Sequence, residues 1–487
     1  MMVSLARSLD NVKVEIIEVP KEDLNWTTVS LSDVINKGKR LEASVFDIES
    51  KHARETVKNS IHGYKSIDIN EDVVECYTRP RFKRIWLDKS EYPIYQPTSI
   101  LDVYPVNDGY ISKLTKTDIE SLRVHKGQVL VTCSGTIGNV SYVSDTLDNK
   151  IFSHDLLRIK FKKEEDNGFF YTFLKTDIGK SILKSNKYGS VISHIEAEHI
   201  NEVIIPTPPV IIKQKIHDLI VESYQKRDES NSLIDEATKL LIAELELPPI
   251  EKLHEVAFSY SKEINSFSTK LSELNGRLEG SYHVPIVDVI EKHITKKAKV
   301  LNLNDGAITK KIILPGRFKR IYVEKGNGKV FLGGKEIGQL DPANKKYLSL
   351  THHSERIKNE LILKKNMILV TRSGTVGKIS IIPRHWENWI VNEHVLRVEA
   401  KEPYHGLIYT WLNSEYGKVL ISRQIYGSVV NEITEEQLGE ISVPIFEDDN
   451  ITFKIAKLID KANDFRYEAY KQEQEAIDIM NREVLGL

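Results

Sequence analysis

Short apolar runs rich in β-branched residues alternate with polar, glycine-bearing turns through most of the chain, and two much longer amphipathic stretches interrupt that rhythm. The run GQVLVT at 127–132 and the run MILVT at 367–371 are of the first kind. Each leads into Ser-Gly-Thr-x-Gly and then a second apolar run, at 140–143 and 379–383, so the pattern predicts strand, tight turn, strand. Helices are predicted over 169–185 and 407–423, each followed by a Tyr-Gly-Ser turn and a short strand ending at Pro206 or Pro444. The first long stretch, 210–246, places Ile212, Ile216, Leu219, Leu233, Ala237 and Leu240 largely at spacings of three and four, has a polar middle at 225–232, and stops at Pro248-Pro249. The second, 451–484, carries Ile455, Leu458, Ile459, Ala462, Ala469, Ala476, Ile477 and Met480. One-sided stripes on helices about 50 Å long predict that the two pair with each other rather than lie on their own domains, and the polar middles predict an imperfect seam.

The elements recur in the same order because the chain is an internal duplication with a unit of about 238 residues. Arg40-Leu41-Glu42-Ala43-Ser44 returns as Arg277-Leu278-Glu279-Gly280-Ser281, and Arg81-Phe82-Lys83-Arg84-Ile85 as Arg317-Phe318-Lys319-Arg320-Ile321. Leu157-Arg158-Ile159 answers to Leu396-Arg397-Val398, and Tyr188-Gly189-Ser190-Val191 to Tyr426-Gly427-Ser428-Val429. A period this long means two domains, not a solenoid. The expected fold is α+β: two similar mixed α/β domains, each followed by a long helix, the helices pairing as an antiparallel coiled coil about a pseudo-two-fold. The expected boundaries are a first domain at 1–208, a central helix at 209–250, a second domain at 251–446 and a C-terminal helix at 447–487.

Composition narrows the class. With 40% hydrophobic and 28% charged residues the chain can build ordinary soluble cores. No apolar run approaches the roughly 18 residues of a membrane span, and Arg7, Asp10 and Lys13 interrupt the opening stretch, so neither membrane nor export is expected. Cys76 and Cys133 are the only cysteines, which excludes a disulfide framework or zinc cluster and fits a reducing cytoplasm. The net charge is -2, so a nucleic-acid partner has to be held by local basic patches.

Catalytic motifs are missing. Gly374-Thr375-Val376-Gly377-Lys378 looks like a phosphate loop, but Arg372 stands where that spacing needs glycine. Ser134 and Ser373 each precede a single glycine and form no nucleophile elbow. His352 and His353 read as part of a polar loop without partnered ligands, so no metal is expected. A binding protein is the better reading.

The duplicated residues suggest what is bound. The cluster Arg79, Arg81, Lys83, Arg84 has a twin in Arg317, Lys319, Arg320, with Phe82 and Phe318 inside and Lys310 and Lys311 near the second. Arginine and lysine neutralise phosphates, and arginine reads guanine. The turns bearing Ser134 and Thr136, Ser373 and Thr375, Tyr188 and Ser190, and Tyr426 and Ser428 offer hydroxyls and N–H groups on small residues that suit a phosphate backbone.

Taken in order and twice over, Ser-Gly-Thr-x-Gly, Tyr-Gly-Ser, a strand ending in proline and a long helix resemble the specificity subunit of type I restriction–modification systems. Ile205-Pro206-Thr207-Pro208-Pro209 leading to Lys213-Gln214-Lys215-Ile216 resembles that family's approach to its conserved helix, whereas the second copy has Ile445-Phe446-Glu447-Asp448-Asp449 there. The resemblance implies two target-recognition domains that each read half of a split site on double-stranded DNA. It implies helices that act as a ruler and dock two methyltransferase (modification) subunits, which carry S-adenosylmethionine and methylate adenine N6. It also implies a restriction/motor subunit using ATP and Mg, with no catalysis and no cofactor in the chain itself. Positions where the copies differ between matching flanks are then candidate base readers: Cys133 against Arg372, Ser153-His154-Asp155 against Asn392-Glu393-His394, and Ile192-Ser193-His194 against Val430-Asn431-Glu432. A type IIB system, with methylation and cleavage fused in one partner, is the close alternative. A hydrolase using Ser134 and Ser373, with His154 and His394 as bases, is a remote one.

Overall fold

The structure is a computed structural model that describes residues 28–36, 39, 46–185, 193–258, 266–274, 276–343 and 345–487. Arg40-Leu41-Glu42-Ala43-Ser44, Tyr188 and Ser190 lie outside the described residues.

The duplication is written into the sheets. In the first copy an antiparallel sheet runs in the order Val73–Tyr77, Leu156–Phe161, Val129–Thr132, Val140–Tyr142. Its twin runs Thr309–Ile313, Val395–Ala400, Ile368–Thr371, Ile379–Ile381. Even the irregularity is copied, because the edge strand shifts register between Val73 and Glu75 and again between Thr309 and Lys311. A second sheet in each copy ends in a parallel pair, Pro93–Tyr95 beside Ile151–Phe152 and Gly328–Leu332 beside Ile390–Val391. The strand that closes each unit at proline pairs antiparallel with an early one, Ile204–Pro206 with Tyr64–Ser66 and Ser442–Ile445 with Lys299–Asn302.

The helix expected over 169–185 is two helices, Glu164–Lys175 and Asp177–Ser185, and its twin is Tyr404–Asn413 and Glu415–Gln424. The break is chemical. The Thr176 hydroxyl donates to the Phe173 carbonyl at 2.6 Å and accepts from Gly179 N–H at 3.0 Å, and Ser414 does the same with Trp411 and Gly417 at 2.6 and 3.1 Å. A hydroxyl that satisfies both ends of a chain break starts a new helix in place of continuing the old one. A Cβ at Gly179 or Gly417 would stand 2.0 Å from the carbonyl oxygen of Phe173 or Trp411, so the corner requires glycine.

The long helices are Val210–Glu244 and Asp449–Ile479, the latter continuing through a wider turn at Met480–Leu485. They lie antiparallel. Ile216 and Ile220 share a core with Ala476 and Met480, while Ile234, Ala237 and Leu241 share another with Ile455, Ile459 and Ala462. The seam follows alternating steps of four and three: Ile216, Ile220, Ser223, Arg227, Ser230, Ile234, Ala237, Leu241 against Ile455, Ile459, Ala462, Arg466, Ala469, Glu473, Ala476, Met480. On the first helix Ile216 and Ala237 of the expected stripe lie in this seam, whereas Leu219, Leu233 and Leu240 are half-buried beside it and their neighbours Ile220, Ile234 and Leu241 take their places. At the middle the seam is small and polar. Ser223 donates to the Ala469 carbonyl at 2.7 Å, and Glu473 takes Arg227 at 2.8 Å, Lys175 at 3.1 Å and the Tyr171 hydroxyl.

The copies also touch directly. Lys378 holds both carboxylate oxygens of Asp102 at 2.9 Å, and Val103 N–H donates to the Gly338 carbonyl at 2.9 Å. Asn231 on the first long helix reaches the Val103 carbonyl at 2.8 Å, so one loop of the first copy is pinned to both.

Candidate nucleic-acid interface

The Ser-Gly-Thr-x-Gly turn is built identically in the two copies. The Thr132 hydroxyl donates to the Thr136 carbonyl at 2.6 Å and accepts from Asn139 N–H at 3.0 Å. Thr371 repeats this with Thr375 and Lys378 at 2.5 and 2.9 Å. Gly135 and Gly138 have φ of 68° and 85°, and Gly374 and Gly377 75° and 85°, conformations that side chains disfavour. The threonine preceding the motif and its glycines therefore make the turn. Thr136 and Thr375 stand exposed on it, with Ser134 and Ser373 half-buried beside them.

The basic segments connect the two sheets of each copy. The first leaves the edge strand Val73–Tyr77 and enters Trp86–Leu87, and the second leaves Thr309–Ile313 and enters Tyr322–Val323. Their alternation works as on a strand: Phe82 and Phe318 pack against small cores, whereas Arg81, Lys83, Arg317 and Lys319 project into solvent. Arg79 is half-buried over the Tyr77 ring and donates to the Ser121 carbonyl at 2.9 Å. Arg84 lies near the rings of Phe82 and Trp86. Lys310 and Lys311 belong to the sheet edge instead, 3.7 and 4.0 Å from Glu399.

Turn and basic segment meet, and they meet at the positions where the copies differ. In the first copy Arg81 donates to His154 Nε2 at 3.4 Å, the Asp155 carbonyl accepts from Cys133 N–H, and Ser134 bridges to His194. In the second copy Arg320 pairs with Glu393 at 2.5 Å, and the His394 carbonyl accepts from Arg372 N–H at 3.0 Å. Ser373 bridges to Glu432, whose carboxylate takes Arg372 at 2.6 Å, faces Arg317 at 3.9 Å and accepts from the Tyr426 hydroxyl at 3.4 Å. Ser428 is exposed at the tip of the loop that follows Tyr426. Cys133, His154, Asp155 and His194 in the first copy, and Arg372, Glu393, His394 and Glu432 in the second, thus gather on one patch per copy, while Ile192 lies outside the described residues.

Sequence reading noticed Arg158 and Arg397 only as repeated letters. Both are fully buried in the central sheet strands, where their guanidinium groups donate to backbone carbonyls. Arg158 donates to the carbonyls of Leu156, Leu122 and Phe152, and Arg397 to those of Val395, Val391 and Asn392. Burial lowers their pKa to about 10 and about 9. They lock the bend that carries His154 or Glu393 to the patch. A buried arginine inside an apolar strand pattern is the signal that could have found them.

Burial pushes the thiols of Cys76 and Cys133 up to about 12, so neither is a thiolate nucleophile near neutrality. His352 lies in the first turn of the short helical stretch Leu350–Arg356, which Ser349 caps through His352 N–H, and His353 sits at a kink within it, at φ -129° and ψ 18°. Among the described residues no group of three or more His, Cys, Asp or Glu could hold a metal, and no helix is long and apolar enough to cross a membrane. Ser373 Oγ lies 2.7 Å from His394 Nδ1, but the nearby Glu393 oxygen is already engaged by Arg320. In the first copy His154 meets Arg81 and Asp155 instead.

Residues 64–236 match the family model described as the type I restriction modification DNA specificity domain. Among solved structures the chain is similar to the S subunit of a type I restriction-modification system from M. genitalium, at 14% identity and TM-score 0.30 over 88% of this chain and 96% of that one. It is also similar to the HsdS subunit from Thermoanaerobacter tengcongensis, at 13% identity and TM-score 0.26 over 87% and 97%. A third is a chain from a structural study of complex assembly and conformational transition of the type I R-M system, at 14% identity and TM-score 0.24 over 86% and 97%. No curated protein matches the chain.

Proposed function

We propose that this chain, whose residues 64–236 match the type I restriction modification DNA specificity domain, is the sequence-reading subunit of a restriction–modification complex and that each copy reads one half of a split site on double-stranded DNA. The observation that carries the reading is the convergence, in each copy, of a basic segment, a glycine turn with exposed threonine, and the divergent positions on one patch. Phosphate contacts set register on the duplex while side chains at base edges set sequence. A patch with a common frame and unlike chemistry at its centre suits two different half-sites.

In this reading Arg79, Arg81, Lys83, Arg84, Ser134, Thr136, Tyr188 and Ser190 contact the first half-site. Arg317, Lys319, Arg320, Arg372, Ser373, Thr375, Tyr426 and Ser428 contact the second. The domains divide as 1–208 and 251–446, and the helical segments 209–250 and 447–487 form an antiparallel coiled coil that fixes half-site separation. The same helices dock two methyltransferase subunits in the cytoplasm. Those partners bring S-adenosylmethionine and modify adenine N6, a restriction subunit brings ATP and Mg, and this chain catalyses nothing. The test is a gel shift of the full chain with its methyltransferase on a split, asymmetric duplex found from the methylome of cells with and without the gene. A methylome unchanged by loss of the gene, or no DNA binding with the methylase present, sinks the proposal. A neighbouring motor-subunit gene marks a type I system, and its absence a type IIB one.

A serine-hydrolase reading has the Ser373–His394 contact in its favour. Labelling of Ser373 by a fluorophosphonate would support it, and an unlabelled chain would end it.

A further inference from the structure

Asp102 and Gln339 stand one repeat apart in the sequence, and the fold pairs them with each other as an antiparallel bridge. Equivalent loops of the two copies therefore meet on the pseudo-two-fold itself. Their neighbours Val103 and Leu340 pack together against Ala469 on the last helix. Each loop is also tied down from its own side. Asn231 and Asp235 of the first long helix hold the Val103 carbonyl and the Tyr104 hydroxyl at 2.8 and 2.6 Å. The Leu340 carbonyl accepts from the Trp386 indole at 3.0 Å, and Gln474 reaches Asp341 at 3.3 Å. Across the bridge run the Val103–Gly338 backbone bond and the Asp102–Lys378 ion pair, both at 2.9 Å and the pair half-buried. Lys378 directly follows Gly377, and its N–H closes the second glycine turn on the Thr371 hydroxyl. The ion pair thus joins the reading turn of one copy to the body of the other.

Resting on the DNA-reading function above, we propose that this junction is a phase lock: it fixes how the second reading patch is turned relative to the first, and so restricts the complex to one spacer between the half-sites. The long helices set where each domain is rooted. Domains rooted on a shared support still swing relative to each other unless a contact between them forbids it. One added base pair moves the second half-site by about 3.4 Å along the duplex and turns it by about 34°, since a helical turn holds about 10.5 base pairs. The bonds across the bridge are lost once they lengthen by about 0.6 Å. A swing that follows a one-base-pair change therefore has to break both of them and strip a half-buried carboxylate of its lysine. Asp102 and Lys378 are positioning residues in this scheme and need touch no base.

The test is methylation by the full chain with its methyltransferase, on duplexes that carry the split site with its native spacer or with one base pair more or less. Asp102→Asn and Lys378→Met should each lower the preference for the native spacer by about fivefold or more, the lower end of coupling between two sites, while the rate at the native spacer stays near wild type. The double variant should lose no more than either single one, because all break the same contact. A merely structural defect would lower the rates at every spacer together, and that result overturns the lock. So does a preference unchanged in both single variants, or losses that add in the double one. Should a charge variant fail to fold, Gly338→Ala takes its place: its Cβ would stand 2.6 Å from Asp102 Oδ1 and from Lys378 Cε, which parts the pair with both charges kept. A wild-type complex that methylates all the spacers alike overturns the lock as well, whereas one that methylates no split duplex at any spacer overturns the DNA-reading function beneath it.

Discussion

Glu473→Gln should destabilise the chain by about 3 kcal/mol or more, and the structure gives two routes to that figure. Glu473 is 1% exposed on the last helix and is held by Arg227, Lys175 and the Tyr171 hydroxyl. Burial alone would raise its pKa, but Lys175 and Arg227 more than offset that and bring it from 4.5 down to about 2. At about 1.4 kcal/mol per unit, the drop corresponds to about 3 kcal/mol of stability. Breaking a buried ion pair from one side independently costs about 3–5 kcal/mol, because the surviving charges stay buried. Glutamine keeps the shape and removes the carboxylate that both Arg227 and Lys175 contact. The folded pKa is depressed, so the stabilisation is present above 4.5 and is lost as pH falls toward 2. Urea unfolding followed by circular dichroism should therefore show a wild-type–variant gap of about 3 kcal/mol at pH 7 that narrows between pH 4.5 and 2. A gap below about 1 kcal/mol at neutral pH, or one indifferent to acid, would refute the reasoning.

Three further outcomes are expected. Gly179→Ala and Gly417→Ala each force a Cβ to 2.0 Å from a carbonyl oxygen and should cost more than about 3 kcal/mol, read as a lowered melting temperature. His385 stacks on Tyr470 at 3.9 Å, and burial lowers its pKa from 6.5 to about 4; the unfolded chain therefore takes up that proton first, and stability should fall as pH drops from 6.5 to 4. His385→Phe should flatten that window in a pH series of unfolding midpoints. Asp102→Asn breaks the Lys378 contact between the copies and should broaden the distance distribution between fluorophores placed on each copy, with a stability loss of at most about 2 kcal/mol.

The repeat made the architecture readable from the sequence. Apolar β-branched runs became buried strands at nearly the expected limits, since a strand buried on both faces needs only apolar residues in succession. The helix corner at Thr176 and Ser414 was not readable, because a hydroxyl followed three residues later by glycine is weak until the carbonyl that excludes a Cβ is in place. Three positions of the first long helix were misplaced by one residue, whereas Ile216, Ala237 and the stripe of the second helix at Ile455, Ile459, Ala462, Ala469, Ala476 and Met480 fell in the seam as expected. Leu219, Leu233 and Leu240 sit beside Ile220, Ile234 and Leu241, which are as apolar, and only packing reveals which of each pair faces the partner helix; Ser223, Arg227 and Ser230 were passed over because polar residues in a seam carry no hydrophobic signal. At the interface the sequence marked the divergent positions but not their chemistry. Glu393 and Glu432 became counter-charges only once the fold brought Arg320 and Arg372 to them. Arg158 and Arg397 stayed hidden because their partners are backbone carbonyls, which leave no trace in side-chain patterns.

The exchange of helix ends has a consequence for synthesis. Ala476, Ile479, Met480, Val484 and Leu485 complete the core of the first copy, and Ser60 donates to the Val484 carbonyl across 424 residues of sequence. The first copy leaves the ribosome whole in length but short of one wall, and it must wait for nearly the entire remaining chain before that wall arrives. A chain stalled before residue 476 would lack the side chains that cover Ile216 and Ile220 and would leave that apolar surface open to other contacts.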